Sequence, residues 1–241
     1  MKLNSLKYKE YNIFYYNDFF IELGKQIIEK KIEIREEIKV TKRNYVAKII
    51  YKNKTYILKS PKNEHRIIQR KIMTFFKKGE VLSTLINLNQ ISQKGLDIFA
   101  IPFLAIVKRK NGMIVESFLV MENLETKYYF TNERIKEILI LEKKMSDNGI
   151  YHGDFNLSNM VFFKNKIKFI DTQGKKYIAG KYRSNYDLLT LEDNIYSSFG
   201  KENWYKKDLY FYMAYGMKKF KRLKFIKQIK KFKNKIREKR G

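Results

Sequence analysis

Residues Ile150-Tyr151-His152-Gly153-Asp154-Phe155-Asn156-Leu157-Ser158-Asn159, followed by Ile170-Asp171-Thr172-Gln173-Gly174, constrain this chain more than any other stretch. An aspartate at the end of a tight turn can take a proton from a substrate hydroxyl. A carboxamide five residues on, with an aspartate ending the next strand, can hold Mg²⁺ against the phosphates of ATP. The spacing of Asp154, Asn159 and Asp171 therefore points to phosphoryl transfer. His-Gly-Asp alone says little, because such tripeptides mark ordinary turns and an Asp there often caps a neighbouring amide. Context decides: helical periodicity precedes the turn, Asn159 follows Asp154 by five residues, and Asp171 ends an apolar strand.

Roles follow from the chemistry. The transition state of phosphoryl transfer is loose and highly charged, so positioning and charge neutralisation supply most of the catalysis. Asp154 is expected to orient the acceptor hydroxyl and take its proton, and Asn159 and Asp171 to ligate Mg²⁺. His152 reads as support for the loop backbone rather than as a titrating group. Gly174 lets the chain turn after Asp171.

Upstream, Tyr56-Ile57-Leu58-Lys59 ends a strand where a kinase places the lysine that holds the α- and β-phosphates. In a chain with 52 Lys and Arg, a lysine is most often a solvated charge, but one at a strand end after two apolar residues is better placed than most. Its carboxylate partner is Glu80 or Glu64, both on the helical stretch that follows; Val81, Leu82 and Leu85 give Glu80 the more buried neighbourhood. Val120-Met121-Glu122-Asn123-Leu124 ends another strand and starts the connection where main-chain groups read adenine. Glu122 and Leu124 are expected to act there through backbone atoms. Ile57 and Val161 are candidates to sandwich the ring, or equally ordinary core.

The periodicities give the order of elements. Strands are expected at Tyr11–Tyr16, Ile34–Val40, Tyr45–Tyr51 and Thr55–Leu58, with a helix capped by Asp18 after the first. A long helix runs from about His65 to Leu88. A hairpin around Asn111-Gly112 joins Ile101–Lys108 to Ser117–Met121. Thr131 then starts a helix that Gly149 ends, and Lys164-Asn165-Lys166 turns a hairpin between Asn159–Phe163 and Ile167–Ile170. Beyond Leu188 the pattern is helical. These expectations define an α+β, bilobal protein kinase-like fold: a β-rich N-terminal lobe (1–122), a helical catalytic lobe (123–216) and a basic amphipathic C-terminal helix (217–241).

Two features depart from that pattern. The loop expected to cover the phosphates, Thr41-Lys42-Arg43-Asn44-Tyr45, has no glycine, so Lys42 or Arg43 would supply charge where backbone amides cannot approach. Tyr151-His152-Gly153 also lacks the arginine with which protein kinases read a phosphorylated activation loop, which favours small-molecule phosphotransfer.

Composition sets the bounds. Hydrophobic residues at 44% and aromatics at 15% make a folded chain, and the absence of cysteine excludes disulfides and thiolate metal sites. A net charge of +27 calls for an anionic partner: nucleotide, nucleic acid or lipid surface. Part of the lysine excess accompanies abundant Ile, Asn, Tyr and Phe, as low-GC coding alone produces. The first twenty residues interleave charges with aromatics, unlike a secretion signal, and no run approaches a membrane span of about 18 apolar residues. A cytoplasmic protein is expected.

With those residues in place, the chain resembles the bacterial lipopolysaccharide core heptose kinases, especially the heptose(II) kinases. The likeness runs through Tyr11-Asn12-Ile13-Phe14, Tyr56-Ile57-Leu58-Lys59, Lys78-Gly79-Glu80, Ile170-Asp171, Gly174-Lys175, Asp187 and Leu191-Glu192. Ser83 stands at the place of a helix glutamate common in that family. The resemblance implies ATP-dependent phosphorylation of an inner-core heptose hydroxyl at the inner face of the inner membrane. Asp154 would serve as base, Asn159 and Asp171 as metal ligands, and Lys59 as phosphate contact. A monomer is expected.

The C-terminus suits that setting. Residues 217–241 carry thirteen Lys or Arg against the single Glu238. Phe220, Leu223, Ile226, Ile229, Phe232 and Ile236 recur at spacings of three or four. Such a helix lies in an anionic membrane interface, packs its stripe on the second lobe, or binds RNA, with nucleic acid the least favoured of the three. Rival readings of the whole chain are another kinase of this fold, acting on a small molecule or protein, and a non-catalytic kinase-like module binding membrane or RNA.

Overall fold

A computed structural model describes residues 2–124, 131–178, 180–195 and 206–223, with 225, 226, 228 and 229. The chain divides into two compact units, Met1–Leu124 and Glu125–Gly241.

The first unit is built on one antiparallel sheet. In chain order it contains β1 (Asn4–Tyr8), β2 (Tyr11–Tyr15), α1 (Ile21–Ile28), β3 (Glu33–Val40), β4 (Tyr45–Tyr51), β5 (Lys54–Ser60), α2 (Asn63–Arg66), α3 (Ile68–Met73), α4 (Glu80–Gln93), β6 (Pro102–Lys110) and β7 (Met113–Glu122). The seven strands lie in the order β1-β2-β6-β7-β5-β4-β3. Two of the hairpin turns hold both central residues at positive φ, Lys52-Asn53 (47° and 60°) and Asn111-Gly112 (51° and 75°). That geometry matches the twist of paired strands. Period-two alternation puts Ala47, Ile49 and Tyr51 of β4 and Tyr56 and Leu58 of β5 inward. There Ile49, Tyr51, Tyr56 and Leu58 join Ile13, Phe20, Leu23, Ile27, Leu104, Ile106 and Val120 in one buried cluster. Ile57 and Lys59 alternate with Tyr56 and Leu58, and so lie on the other face of β5.

The structure redraws three sequence expectations here. The long helix expected from His65 to Leu88 is three helices, because Ile67 takes extended backbone (φ −86°, ψ 112°) between α2 and α3, and Gly79 at φ +91° breaks the backbone before α4. Asn17, not Asp18, caps the turn leading into α1, its side chain accepting from Phe19 N–H at 2.9 Å. The strand β1 has no counterpart in the sequence reading; its mostly exposed Asn4-Ser5-Leu6-Lys7-Tyr8 gives no apolar signal and is held by register with β2.

The second unit contains α5 (Asn132–Asp147), β8 (Ile150–Tyr151), β9 (Met160–Phe163), β10 (Lys166–Phe169), β11 (Lys175–Lys176), α6 (Tyr182–Ile195) and α7 (Leu209–Arg222). The Thr131 hydroxyl accepts from Arg134 N–H to cap α5, and Gly149 at φ +71° follows its end. The β9–β10 hairpin turns at Lys164-Asn165, both at positive φ, and β8 pairs with β11. Phe211 and Ala214 of α7 pack against Leu189 of α6, and the Lys218 ammonium reaches the Leu189 carbonyl and the Asp193 carboxylate. The helix expected to begin at Met217 thus starts at Leu209, and Leu223 leaves helical backbone at ψ 137°. Residues 230–241 of that segment lie outside the described residues. No helix among the described residues is long and apolar enough to cross a membrane.

Candidate active site

The β9–β10 hairpin organises the second unit's chemistry. Met160 pairs with Phe169, and one step outward Ile170 N–H donates to Asn159 O at 2.9 Å. Asn159 and Asp171 are therefore brought to one end of the hairpin by its register. Asp171 sits at φ +58°, in the left-handed region that Asp tolerates better than most residues. Strained backbone of this kind persists where surrounding structure enforces it.

Side-chain bonds bring Asp154 to the same place. The Asn159 Nδ2 amide donates to Asp154 O at 2.8 Å and to its Oδ2 at 3.2 Å. The Asn156 Nδ2 amide donates to Asp154 Oδ1 at 3.0 Å. Both carboxylate oxygens are thus held by carboxamides. Asn159 spends its nitrogen on this contact, so its oxygen is the atom left for a hard cation. Sequence reasoning gave Asn156 no role; its position two residues after Asp154 was the available signal, since Asn there closes a turn onto the preceding Asp.

The loop beneath is tied down by buried polar groups. His152 is buried; its Nε2 faces Ile170 O at 2.9 Å and its Nδ1 accepts from Asp154 N–H at 3.3 Å. Burial pushes its pKa down to about 4, against the opposing pull of the Asp154 and Asp171 carboxylates. A neutral ring with the proton on Nε2 satisfies both bonds. Thr172 donates its hydroxyl to His152 O at 3.0 Å and accepts from Gly174 N–H. Phe155 and Phe169, both fully buried, meet edge to face at 5.2 Å below the loop.

Asp187 of α6 carries out the part that sequence reasoning left without a mechanism. Its carboxylate accepts from His152 N–H at 2.7 Å and from Gly153 N–H at 3.0 Å. Burial lifts its pKa to about 7, opposed by those two donors. A lone acid in the apolar run Tyr186-Asp187-Leu188-Leu189 was the signal that could have found it. Nearby Glu142 is also buried, takes a hydrogen bond from the Ser184 hydroxyl and is lifted to about 7 by burial.

In the first unit, Lys59 stands on β5 opposite Val46 and Leu119. Glu64 accepts from Glu80 N–H at 2.8 Å, so its carboxylate serves the N-terminus of α4, while Glu80 is that helix's first residue. Burial raises the Glu64 pKa. Met121 is buried and pairs with Ile57. Glu122 donates its N–H to Ile101 O at 2.8 Å and accepts from Ile101 N–H on its side chain, which leaves that N–H committed. Leu124 is buried at the end of the unit. Val161, in the second unit, is fully buried opposite Lys168. The glycine-free loop closes on itself: the Thr41 hydroxyl accepts from Arg43 N–H and Asn44 N–H at 3.2 and 3.0 Å.

Among the described residues no three acid or histidine side chains cluster to hold a metal. The donor pair Asn159 and Asp171 still suits Mg²⁺, which keeps several waters and is commonly bound through one or two protein oxygens plus substrate phosphates.

This architecture, a β-rich unit followed by a helical one whose hairpin gathers Asp, Asn and Asp, is an α+β protein kinase-like fold. The chain is similar to the solved structure of WaaP in complex with acyl carrier protein, with TM-score 0.53 and 13% identity, over 95% of this chain and 98% of that one. No family model matches the chain, and no curated protein matches it.

Proposed function

We propose that this chain transfers the γ-phosphoryl group of ATP to a heptose hydroxyl of the lipopolysaccharide inner core. The observation that carries the reading is the Asp154 carboxylate, held on both oxygens by Asn156 and Asn159 beside the hairpin end that bears Asp171. A base clamped in this way is pre-oriented toward an acceptor hydroxyl, and little reorganisation is needed as the proton arrives. Lys59, paired with Glu80, is assigned the α- and β-phosphates; Glu64 is already engaged by the helix terminus. Mg²⁺ bound through Asn159 and Asp171 would shield the charge of the phosphates. Ile57, Met121, Glu122, Leu124 and Val161 are assigned to the adenine.

The heptose acceptor rests on the resemblance to heptose kinases and on charge. A balance of +27 suits a phosphorylated glycolipid and disfavours cationic acceptors such as aminoglycosides. The enzyme is placed as a monomer on the cytoplasmic face of the inner membrane, with residues 217–241 against anionic lipid. Exposure of Met217, Phe220, Leu223, Phe225 and Ile229 supports that contact.

The test is incubation with Mg²⁺-ATP and core oligosaccharide, RNA or a generic protein substrate, beside Asp154→Ala. Phosphate on the sugar that vanishes in the variant supports the reading. Phosphate on protein alone points to another kinase of this fold, and RNA binding without turnover points to a non-catalytic module.

A further inference from the structure

A second basic and apolar surface lies in the first unit, remote in sequence from the C-terminal segment. On α3 and the turn after it, Ile68, Ile72, Met73, Phe75 and Phe76 are all exposed, Phe76 by 77% and Phe75 by 59%. The two rings meet edge to face at 5.2 Å. Cations surround them: Arg66, Arg70, Lys71, Lys77 and Lys78, with no acid from Arg66 to Gly79. Of the acids that flank this stretch, Glu64 and Glu80, the Glu64 carboxylate is turned onto Glu80 N–H.

This exposure is built into the fold. Thr74, between Met73 and Phe75, is 2% exposed; its hydroxyl donates to Lys71 O at 2.6 Å and accepts from Ile114 N–H at 2.8 Å. The Arg109 guanidinium donates to Thr74 O, Gly112 O and Lys77 O at 2.7, 2.6 and 2.9 Å. The Phe75 ring lies across Gly112, where a Cβ would come within 2.6 Å of it. Five hydrogen bonds and a glycine platform thus hold large apolar side chains out in water. A contiguous exposed patch of this kind marks an interaction surface.

We propose that the α3–Phe76 segment docks on the interface of a bilayer that contains anionic lipid, Phe75 and Phe76 entering the headgroup–acyl boundary while Arg70, Lys71, Lys77 and Lys78 meet lipid phosphates. Charge chooses this occupant. Protein interfaces are depleted in lysine, whereas membrane-surface elements combine Lys and Arg with large apolar residues such as Trp, Phe and Leu. RNA offers no site for Ile68, Ile72 and Met73. The inference goes beyond the phosphotransfer reading and holds whether or not the chain turns over ATP.

The chain has no cysteine, so Phe76→Cys carries one environment-sensitive dye and reports this patch whatever the C-terminal segment does. On mixed phosphatidylcholine–phosphatidylglycerol vesicles the dye emission is expected to shift to the blue, and less so on phosphatidylcholine alone. F75S/F76S and K77E/K78E are each expected to weaken vesicle co-sedimentation of the full chain by about tenfold or more, with unchanged melting because these side chains are on the surface. Emission that stays at its value in water on vesicles the protein has bound overturns the proposal. So does F75S/F76S sedimenting as the parent does, or a shift produced only by a soluble protein and not by lipid.

Discussion

Asp187 accepts a hydrogen bond from the backbone N–H of His152 at 2.7 Å, joining the middle of α6 to the residue two before the candidate base. The same carboxylate takes Gly153 N–H, so one buried side chain sets the backbone from which Asp154 projects. Replacing it with alanine strips the acceptor from both amides, and a buried donor left unpaired costs about 1–3 kcal/mol. Asp187→Ala is expected to lower stability by about 2 kcal/mol or more and to depress phosphotransfer further still. Asp187→Asn keeps one acceptor oxygen and should fall between the two. Denaturant midpoints beside turnover check this; an alanine variant as stable as the parent would refute it.

Glu142 gives a pH signature. Burial lifts it from an ordinary 4.5 to about 7, helped by the nearby Asp187 and Asp147 carboxylates and opposed by Ser184 and Lys181. Between those values the folded chain keeps a proton that the unfolded chain releases, so this group lowers stability as pH rises through the window. His152, held near 4, acts in the opposite sense between about 4 and 6.5, where only the unfolded chain takes the proton. Glu142→Gln removes the first effect and leaves the second. Its stability relative to the parent should therefore grow from pH 5 to pH 8, by at most about 3 kcal/mol. Thermal melts at the two pH values decide; a constant difference contradicts the assignment.

Much of this layout was legible in the sequence, and the gaps have physical causes. The strand β4 was read to the residue, and the hairpins at Asn111-Gly112 and Lys164-Asn165 were found from turn residues that tolerate positive φ. Asp154, Asn159 and Asp171 were placed by spacing, because a five-residue loop and a short hairpin leave few ways to arrange them. The break at Gly79 was missed because apolar residues recur on both sides of it, and periodicity alone does not register one residue in the left-handed region. Asp187 was noticed only as part of a resemblance. Its bonds to His152 and Gly153 span more than thirty residues, and such long-range polar partners leave no local pattern.

Glu64 and Gly79 together start α4, and both are sensitive. The Glu64 carboxylate satisfies Glu80 N–H at the helix terminus, where an anion is also favoured by the backbone dipoles. Glu64→Ala is expected to cost about 1–2 kcal/mol, with Glu64→Gln losing less because it retains an acceptor. At Gly79 an added Cβ would lie 2.2 Å from Ile114 Cδ1, on backbone at φ +91°. Gly79→Ala is expected to cost about 2–3 kcal/mol or more. Equilibrium unfolding of the three variants gives the order; Gly79→Ala as the mildest would reverse the argument.

Asn159 is expected to set the Mg²⁺ requirement. Its nitrogen is engaged with Asp154, so Asn159→Ala removes both the cation's oxygen ligand and a clamp on the base. Asp171→Asn weakens only the ligand charge. Both should raise the Mg²⁺ concentration for half-maximal turnover by about tenfold or more, and Asn159→Ala should also lower turnover at saturating Mg²⁺. A Mg²⁺ titration of each variant separates the two effects; an unchanged midpoint in both removes these residues as ligands.

The loop Thr41–Tyr45 tests how the phosphates are covered without glycine. The Thr41 hydroxyl accepts from Arg43 N–H and Asn44 N–H, and Thr41 N–H donates to Asn44 O at 3.0 Å. These amides are spent within the turn, so backbone N–H groups at Arg43 and Asn44 are not presented to a phosphate. Lys42 and Arg43 are both exposed, and their side chains are the remaining source of positive charge on this loop. K42A/R43A is therefore expected to raise the ATP Michaelis constant about tenfold, with a smaller change in turnover. That follows if the two cations bind ground state and transition state alike. Raising salt should narrow the gap between variant and parent, since exposed charges are screened within a Debye length of about 8 Å at physiological ionic strength. An unchanged Michaelis constant assigns the phosphates to Lys59 and the metal alone.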